Sequence, residues 1–166
     1  MSTLKTTNIQ HPSAGSPAVE LTAAGGLWLG GGKVLQVVRA TDSSTRSTTS
    51  TSFVDASIST SITPQKATSA VLLIWIAQVE FQASNNYMNL QITDASNNPI
   101  AGAEDSLWGS SADTNPNGLQ TIIGYATPAT TSAVTYKGRF KVNSTGTARL
   151  RNTVATGQLY ALEISA

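Results

Sequence analysis

The chain holds one histidine and no cysteine, which limits the chemistry that its side chains could perform. His11 stands directly before Pro12 in a proline-containing segment, whereas a general base needs a partner held within hydrogen-bond reach. Zinc sites are built mainly from histidine and cysteine. The residues therefore predict neither a catalytic histidine nor a transition-metal site, and no cofactor is expected.

Glu104 and Asp105 are the only adjacent pair among the nine carboxylates. Neighbouring residues on a strand point to opposite faces, whereas a glycosidase needs two carboxylates facing each other across the scissile bond. A depolymerase would have to assemble its pair from distant positions. We therefore expect that the chain is not an enzyme.

Two short motifs imitate known ligand loops. Residues 26–33 (GLWLGGGK) resemble a phosphate loop, but Val34 stands where a magnesium-binding Ser or Thr belongs. Residues 113–118 (DTNPNG) match the opening of a calcium loop, but Gly124 replaces the bidentate glutamate. The first motif is interpreted as a glycine hinge, and the second as an Asn-Gly turn between strands.

Trp108 lies in a stretch rich in Ser, Asp and Asn, so residues 102–118 are predicted to form a loop. A tryptophan flanked by hydrogen-bonding side chains is a frequent design of sugar-binding platforms. The alternative is a side chain that fills a gap under its own loop or at a subunit contact. The candidate receptor loop consists of Trp108, Asp113, Asn115 and Asn117.

Five basic residues lie in a segment without acidic residues, and three of them alternate along one predicted strand. Lys137, Arg139 and Lys141 share one face of that strand because side chains alternate between faces. This face could meet a polyanion, or it could be a solvated face or a seam between subunits. With a net charge of +1, nucleic acid is not predicted as a partner.

The elements that carry these residues follow a period of two from residue 33 onward, and no stretch shows helical periodicity. Polar turns recur about every ten residues, a spacing typical of an antiparallel sandwich. The residues 71–77 are continuously apolar, which predicts a central strand covered on both faces. Strands are predicted over residues 33–41, 53–63, 71–81, 87–93, 119–126, 134–142, 147–152 and 158–164. The fold class is therefore all-β, an antiparallel β-sandwich of jelly-roll type, with residues 43–52 as a solvated loop or edge.

Residues 1–32 differ in composition and are predicted to form an extended attachment arm with a glycine-rich hinge, followed by the sandwich domain over residues 33–166. No secretory signal and no membrane-inserting segment are expected, since the longest apolar run is too short. The apolar anchors of the arm would be Leu4, Ile9, Val19, Leu21 and Trp28.

Four segments carry a family resemblance that spans nearly the whole chain. They are residues 3–21 (beginning TLKTTNIQHP), 51–74 (beginning TSFVDASIST), 129–137 (ATTSAVTYK) and 159–164 (LYALEI). In their order and spacing they resemble tail-fibre-like virion structural proteins of marine tailed bacteriophages, of the cyanophage type. The resemblance supplies no catalytic residues.

The resemblance implies a virion structural protein, assembled in the host cytoplasm and forming a homotrimer. The arm would dock to other virion proteins of the tail or capsid, and the sandwich would contact the host surface, with a glycan as a candidate ligand. Only 11% of the residues are charged, which suits a protein packed against other copies. Two alternatives stay open: a capsid decoration or head-fibre protein, and a carbohydrate-binding module.

Overall fold

The computed structural model describes residues 8–9, 19–21, 27–28, 32–83, 85–109 and 115–165. This part of the chain contains β-strands and no helix, and accordingly no helix that could span a membrane. Its strands are β1 (Asn8–Ile9), β2 (Val19–Leu21), β3 (Leu27–Trp28), β4 (Val34–Asp42), β5 (Thr45–Thr48), β6 (Val54–Ile62), β7 (Ala70–Gln82), β8 (Asn86–Asp94), β9 (Pro99–Gly109), β10 (Asn117–Ala126), β11 (Val134–Val142), β12 (Thr147–Arg151) and β13 (Gly157–Ile164).

The larger sheet has six strands and is organised around β7, the longest strand of the described chain. On one side β7 pairs first with β13 and then with β12, which continue outward to β4 and β5. On its other side β7 pairs along most of its length with β10. All these pairings are antiparallel, so the central position predicted for this apolar strand is confirmed.

The smaller sheet has four strands in the order β6–β11–β8–β9, again all antiparallel. A register shift between Lys137 and Arg139 marks a β-bulge in β6, where residues 56–58 stand opposite Gly138. Ser57 lies on the β6 side of this bulge with φ of 58°. The backbone N–H of Ser57 donates to Asp55 Oδ1 at 2.7 Å, which satisfies a donor that the bulge removes from the ladder.

The two sheets enclose one hydrophobic core. Strand β7 contributes every second side chain, and the largest of these is Trp75, which is buried against Gly138 and Ile58 of the smaller sheet. The members with the largest buried side chains are Ile62, Leu73, Trp75, Phe81, Met88, Leu90, Ile92, Ile122, Phe140, Leu150 and Leu159. The predicted antiparallel β-sandwich is confirmed.

All eight predicted strands are present, and two further strands of the sandwich were not predicted as such. Strand β5 lies inside the Ser/Thr tract and forms an edge of the larger sheet, in line with the loop-or-edge interpretation. Strand β9 corrects the interpretation of residues 102–118 as a loop, because the strand continues to Gly109. Asn117 and Gly118 open β10 rather than forming a hairpin turn.

The amino-terminal segment lies mostly outside the described residues. Its described parts, β1 to β3, pair with one another as a short antiparallel meander, so the segment folds back on itself at these positions instead of running straight. Leu4 lies outside the described residues. For Ile9, Val19, Leu21 and Trp28 the structure gives strand positions only.

The first and the last described residues of the sandwich are hydrogen-bonded to each other. The N–H of Gly32, which has φ of 81°, donates to the Ser165 carbonyl at 2.9 Å, and the Ser165 N–H donates to the Lys33 carbonyl at 2.8 Å. This junction adjoins Ala70, the first residue of β7, which pairs with Ile164. The arm therefore enters the sandwich at the end where β7 begins.

Candidate assembly and ligand-binding surfaces

The outward face of the six-stranded sheet is apolar at its centre, which is unusual for a strand surface that points to solvent. None of the ten strands of the sandwich lies over it, and Ile123 and Tyr125 are 57% and 60% exposed. Nine side chains form this surface, called the apolar face below: Val37 of β4; Leu72, Ile74 and Ile76 of β7; Leu119, Ile123 and Tyr125 of β10; and Tyr160 and Leu162 of β13.

The pairing register brings these side chains together, because residues directly opposite each other in antiparallel strands share a face. One cross-strand row is Val37, Leu162, Leu72 and Tyr125, and the next is Tyr160, Ile74 and Ile123. Polar residues follow on the outer strands and in the next rows, among them Arg39, Thr41, Gln158 and Gln78. An apolar centre with a polar rim is the anatomy of a protein–protein interface.

Trp108 is held in an exposed position at the far end of the smaller sheet. It pairs with Tyr87 across β8 and β9, and the two ring centroids lie 4.4 Å apart at an interplanar angle of 34°. In the next row of the same face, Asn89 Nδ2 donates to Ser106 Oγ at 2.8 Å. Trp108 itself is 63% exposed, so an aromatic surface stands beside hydrogen-bonding groups.

The other members of the predicted receptor loop are only partly placed. Asp113 lies outside the described residues. Asn115 precedes β10, and Asn117 is its first residue, where it pairs with Glu80. Both asparagines are exposed and belong to the same end of the sandwich as Trp108. Within the described residues, no group of three His, Cys, Asp or Glu side chains could hold a metal ion.

The three basic residues of β11 share one outward face, as the sequence predicts, while Tyr136 and Phe140 point into the core. All three are half-buried and engaged within the chain. Arg139 Nη2 donates to the Phe53 carbonyl, and Lys141 Nζ lies 4.9 Å from the centre of the Phe53 ring. Lys137 acts electrostatically on Asp94.

Arg149 and Arg151, the remaining basic residues of that segment, lie on the other sheet and do not join this face. Both pair with the Glu80 carboxylate, at 3.2 and 3.1 Å. Glu104 and Asp105 are placed on β9 without facing each other, and Asp105 Oδ1 accepts the Ser106 N–H at 2.7 Å. Neither a continuous cationic patch nor a pair of facing carboxylates results.

An open cavity of about 540 Å³ lies at the end of the sandwich where the arm enters. It is lined by the turn after β8, the start of β9, the end of β10 and the segment that leads into β11. The lining residues include Pro99, Tyr125, Pro128 and Tyr136. Burial, followed by the nearby Asp94 carboxylate, raises the pKa of Tyr136. Tyr125 also belongs to the apolar face, so the cavity continues that surface around the edge of the sheet.

Two carboxylates are buried in the structure, although the sequence does not predict it. Burial alone would raise the pKa of Glu163, but hydrogen bonds outweigh it and hold the pKa below its usual range. Gln36 Nε2 donates to Glu163 Oε2 at 2.6 Å, and the Gln65 N–H donates to Glu163 Oε1 at 2.8 Å. Glu163 thereby ties the segment between β6 and β7 to strands β4 and β13.

Asp42, at the end of β4, is the second case. Burial again opposes ionisation, but Arg46 and Asn152 donate to its carboxylate at 3.1 and 2.9 Å, and its pKa is lowered. The Arg46 pairing lies four residues along the chain and crosses the turn from β4 into β5. In sequence these acids look like any surface carboxylate, because partners such as Gln36 and Asn152 come from strands and loops that are distant along the chain.

No protein-family model and no curated protein matches the chain. Among solved structures, a mutant VP2 protein of infectious bursal disease virus in derived T=1 particles aligns with 79% of this chain at 12% identity and a TM-score of 0.36. A VP2 subviral particle of the same virus aligns with 91% at 13% identity and a TM-score of 0.36. The alignments span 36% and 43% of those chains. At this level of overlap the likeness identifies neither a family nor a function.

Proposed function

We propose that this chain is a virion structural protein, a trimeric tail fibre or tail-associated component that attaches by its amino-terminal arm and presents the sandwich outward. The family resemblance of the sequence supports the virion part of this proposal. The low charge and the confirmed β-sandwich are compatible with it. Assembly would take place in the host cytoplasm, as for other virion components of this type.

One observation carries the proposal: the junction where the arm joins the sandwich and the candidate receptor residues lie at opposite ends of the sandwich. The arm enters beside Ala70, whereas Asn117 pairs with Glu80 at the other end of β7. Ten residues of strand separate these points, which is about 33 Å. Trp108 shares the distal end with Asn115. A subunit anchored by its arm would therefore hold these residues away from the anchor.

The native mass of the full-length chain at micromolar concentration and moderate salt tests the proposal. A mass of about three times the 17.2 kDa of one chain is expected. A monomer would contradict the trimer and would favour the alternative of a capsid decoration subunit, which takes its symmetry from the shell it binds. The position of the arm on virions, seen by immunogold labelling, would then separate tail from capsid.

A carbohydrate-binding role is the second candidate, and the exposed Trp108–Tyr87 pair favours it. An exposed tryptophan can stack on the non-polar C–H side of a sugar ring, and the neighbouring amide and hydroxyl groups can hydrogen-bond to the hydroxyls of the sugar. On a glycan array, Trp108→Ala would abolish binding, while removal of residues 1–32 would leave it unchanged. Binding that survives Trp108→Ala would place any glycan site elsewhere.

A further inference from the structure

We infer that the apolar face is the surface through which copies of this chain pack against one another. The inference rests on the proposed trimer and names the surface that forms it. Its starting point is β7, whose sequence is apolar on both sides, a pattern typical of a strand covered on both faces. The smaller sheet covers one face of β7, and no strand of the sandwich covers the other.

The size of the apolar face fits a second copy of the chain. Four neighbouring strands with three rows of side chains span about 19 by 20 Å, or roughly 400 Å². A stable interface buries about 800 Å² on each partner, of which somewhat more than half is apolar. This block of strands already includes Arg39, Thr41 and Gln158 of the rim, so it supplies about half of that area in about this apolar proportion, and the rest of the interface would lie on the surrounding rows.

The described strands of the arm are too small to cover this surface by themselves. Strands β1, β2 and β3 are two, three and two residues long, so their sheet measures about 10 by 14 Å. That is about a third of the apolar face. Another copy of the sandwich, in contrast, brings a surface of equal extent and equal chemistry.

The charge distribution also favours self-association. Arg39 is the charged residue within the rows of the apolar face, so like-charge repulsion between facing copies is small. The face ends in Tyr125, which also lines the open cavity, and this gives a neighbouring copy a recess beside the flat sheet. In a closed ring of three copies each apolar face would turn towards the threefold axis and meet parts of both neighbours, whereas face-to-face packing of two copies would give a dimer; either closed arrangement leaves no apolar face to recruit further chains.

Single thiols test whether the face is covered, because the natural chain has no cysteine. Ile123→Cys places the thiol on the apolar face, and Ser59→Cys, at an exposed position of β6 on the other sheet, is the matched control. In the assembled protein, maleimide should label the thiol at position 123 at least about tenfold more slowly than the thiol at position 59. In denaturant the two rates should be equal.

A charged substitution tests whether the face holds the copies together. Ile123→Lys and Tyr125→Lys should shift the native mass from three chains to one at micromolar concentration, while Ser59→Lys should leave it unchanged. Both positions are exposed within one chain, so the monomer should keep its fold. An unchanged circular dichroism spectrum and unchanged tryptophan emission, to which buried Trp75 contributes beside Trp28 and Trp108, would verify this.

The outcomes separate the inference from the proposed function. A trimer with rapid labelling at position 123, or one that survives both lysine variants, overturns the inference and leaves the trimer standing. A monomer with slow labelling overturns it too, because the chain itself then covers the face. A monomer with rapid labelling overturns both the inferred self-packing surface and the proposed trimer. A dimer with slow labelling supports the self-packing surface but contradicts the trimer.

Discussion

Single residues hold the loops of this sandwich in place, and the buried carboxylate of Glu163 is the clearest case. Its side chain is 0% exposed and accepts several hydrogen bonds from strands and loops that are distant in sequence. A buried charge is tolerated only when its hydrogen bonds are complete. The periodicity of the sequence does not predict a buried carboxylate here, because Glu163 occupies an inward position of β13 where the pattern predicts an apolar side chain.

Replacing this carboxylate should lower stability in a pH-dependent way. Glu163→Gln is expected to reduce the free energy of unfolding by about 1–3 kcal/mol at neutral pH, because charge-assisted hydrogen bonds are lost. The pKa of Glu163 is lower in the folded than in the unfolded chain. Its contribution is therefore complete above pH 4.5, the ordinary value, and is lost as the pH falls below it.

Urea unfolding at neutral pH and at about pH 3 measures this effect. The difference between Glu163→Gln and the natural chain should shrink in acid. Glu104→Gln, at an exposed position of β9, is the control and should change little at either pH. An equal loss for Glu163→Gln under both conditions would mean that the carboxylate contributes by its shape and not by its charge.

Gly138 is a second residue whose role depends on close packing. A Cβ at this position would lie 2.9 Å from the indole of Trp75 and 3.0 Å from Ile58 Cγ2. Gly138→Ala should therefore destabilise the chain by about 1–3 kcal/mol through overpacking. The control is Gly118→Ala, where no atom lies within 4 Å. Thermal unfolding of both variants compares their stabilities. Equal midpoints would show that the core between the sheets can rearrange to accept an extra methyl group without loss of stability.

At the scale of elements, alternation and one continuous apolar run predicted eight strands correctly, whereas β9 was missed for a physical reason. It is an edge strand of the smaller sheet that pairs with β8 alone, and most of its side chains are at least partly exposed, so they can be polar. Gly102, with φ of 75°, and a register shift against β8 further break its period. Composition alone therefore resembles a loop, and only pairing with β8 makes it a strand.

Trp108 is on this strand, and its pairing with Tyr87 has a measurable consequence. Cross-strand aromatic pairs contribute about 0.5–1.5 kcal/mol beyond their buried area, so Trp108→Ala should lower the free energy of unfolding by at least that amount. Val154→Ala is the control, because Val154 is equally exposed at 63% but is not on a strand. If both substitutions cost the same, the aromatic pair does not stabilise the edge, and Trp108 is free to serve a ligand alone.

At the scale of the whole molecule, the two outward surfaces of the sandwich have different chemistry. The larger sheet exposes the apolar face, and the smaller sheet exposes hydroxyls, amides and the three basic residues of β11. The sequence predicts which side chains of each strand share a face, because side chains alternate along a single strand. It could not predict which strands become neighbours: β7, β10 and β13 are far apart along the chain, and the apolar face exists only through their pairing.

The response to salt distinguishes which surface joins the copies. Contact through the apolar face is insensitive to screening, so the native mass should be the same at low ionic strength and at about 1 M salt, where the screening length is about 3 Å. A seam built from Lys137, Arg139 and Lys141 would instead weaken in salt. Sedimentation at both salt concentrations measures this, with Lys141→Ala as a control that should leave the mass unchanged.

The place where the sandwich begins and ends has a consequence for the timing of synthesis. Strand β13 lies between β4 and β7, so the first strand of the sandwich has no neighbour until the last one has left the ribosome. A nascent chain that stops before Gly157 has a gap in the middle of the larger sheet, and it lacks Tyr160 and Leu162. Only chains that include β13 can then present a complete apolar face, so under the inferred self-packing the order of the strands would keep truncated products out of the assembly.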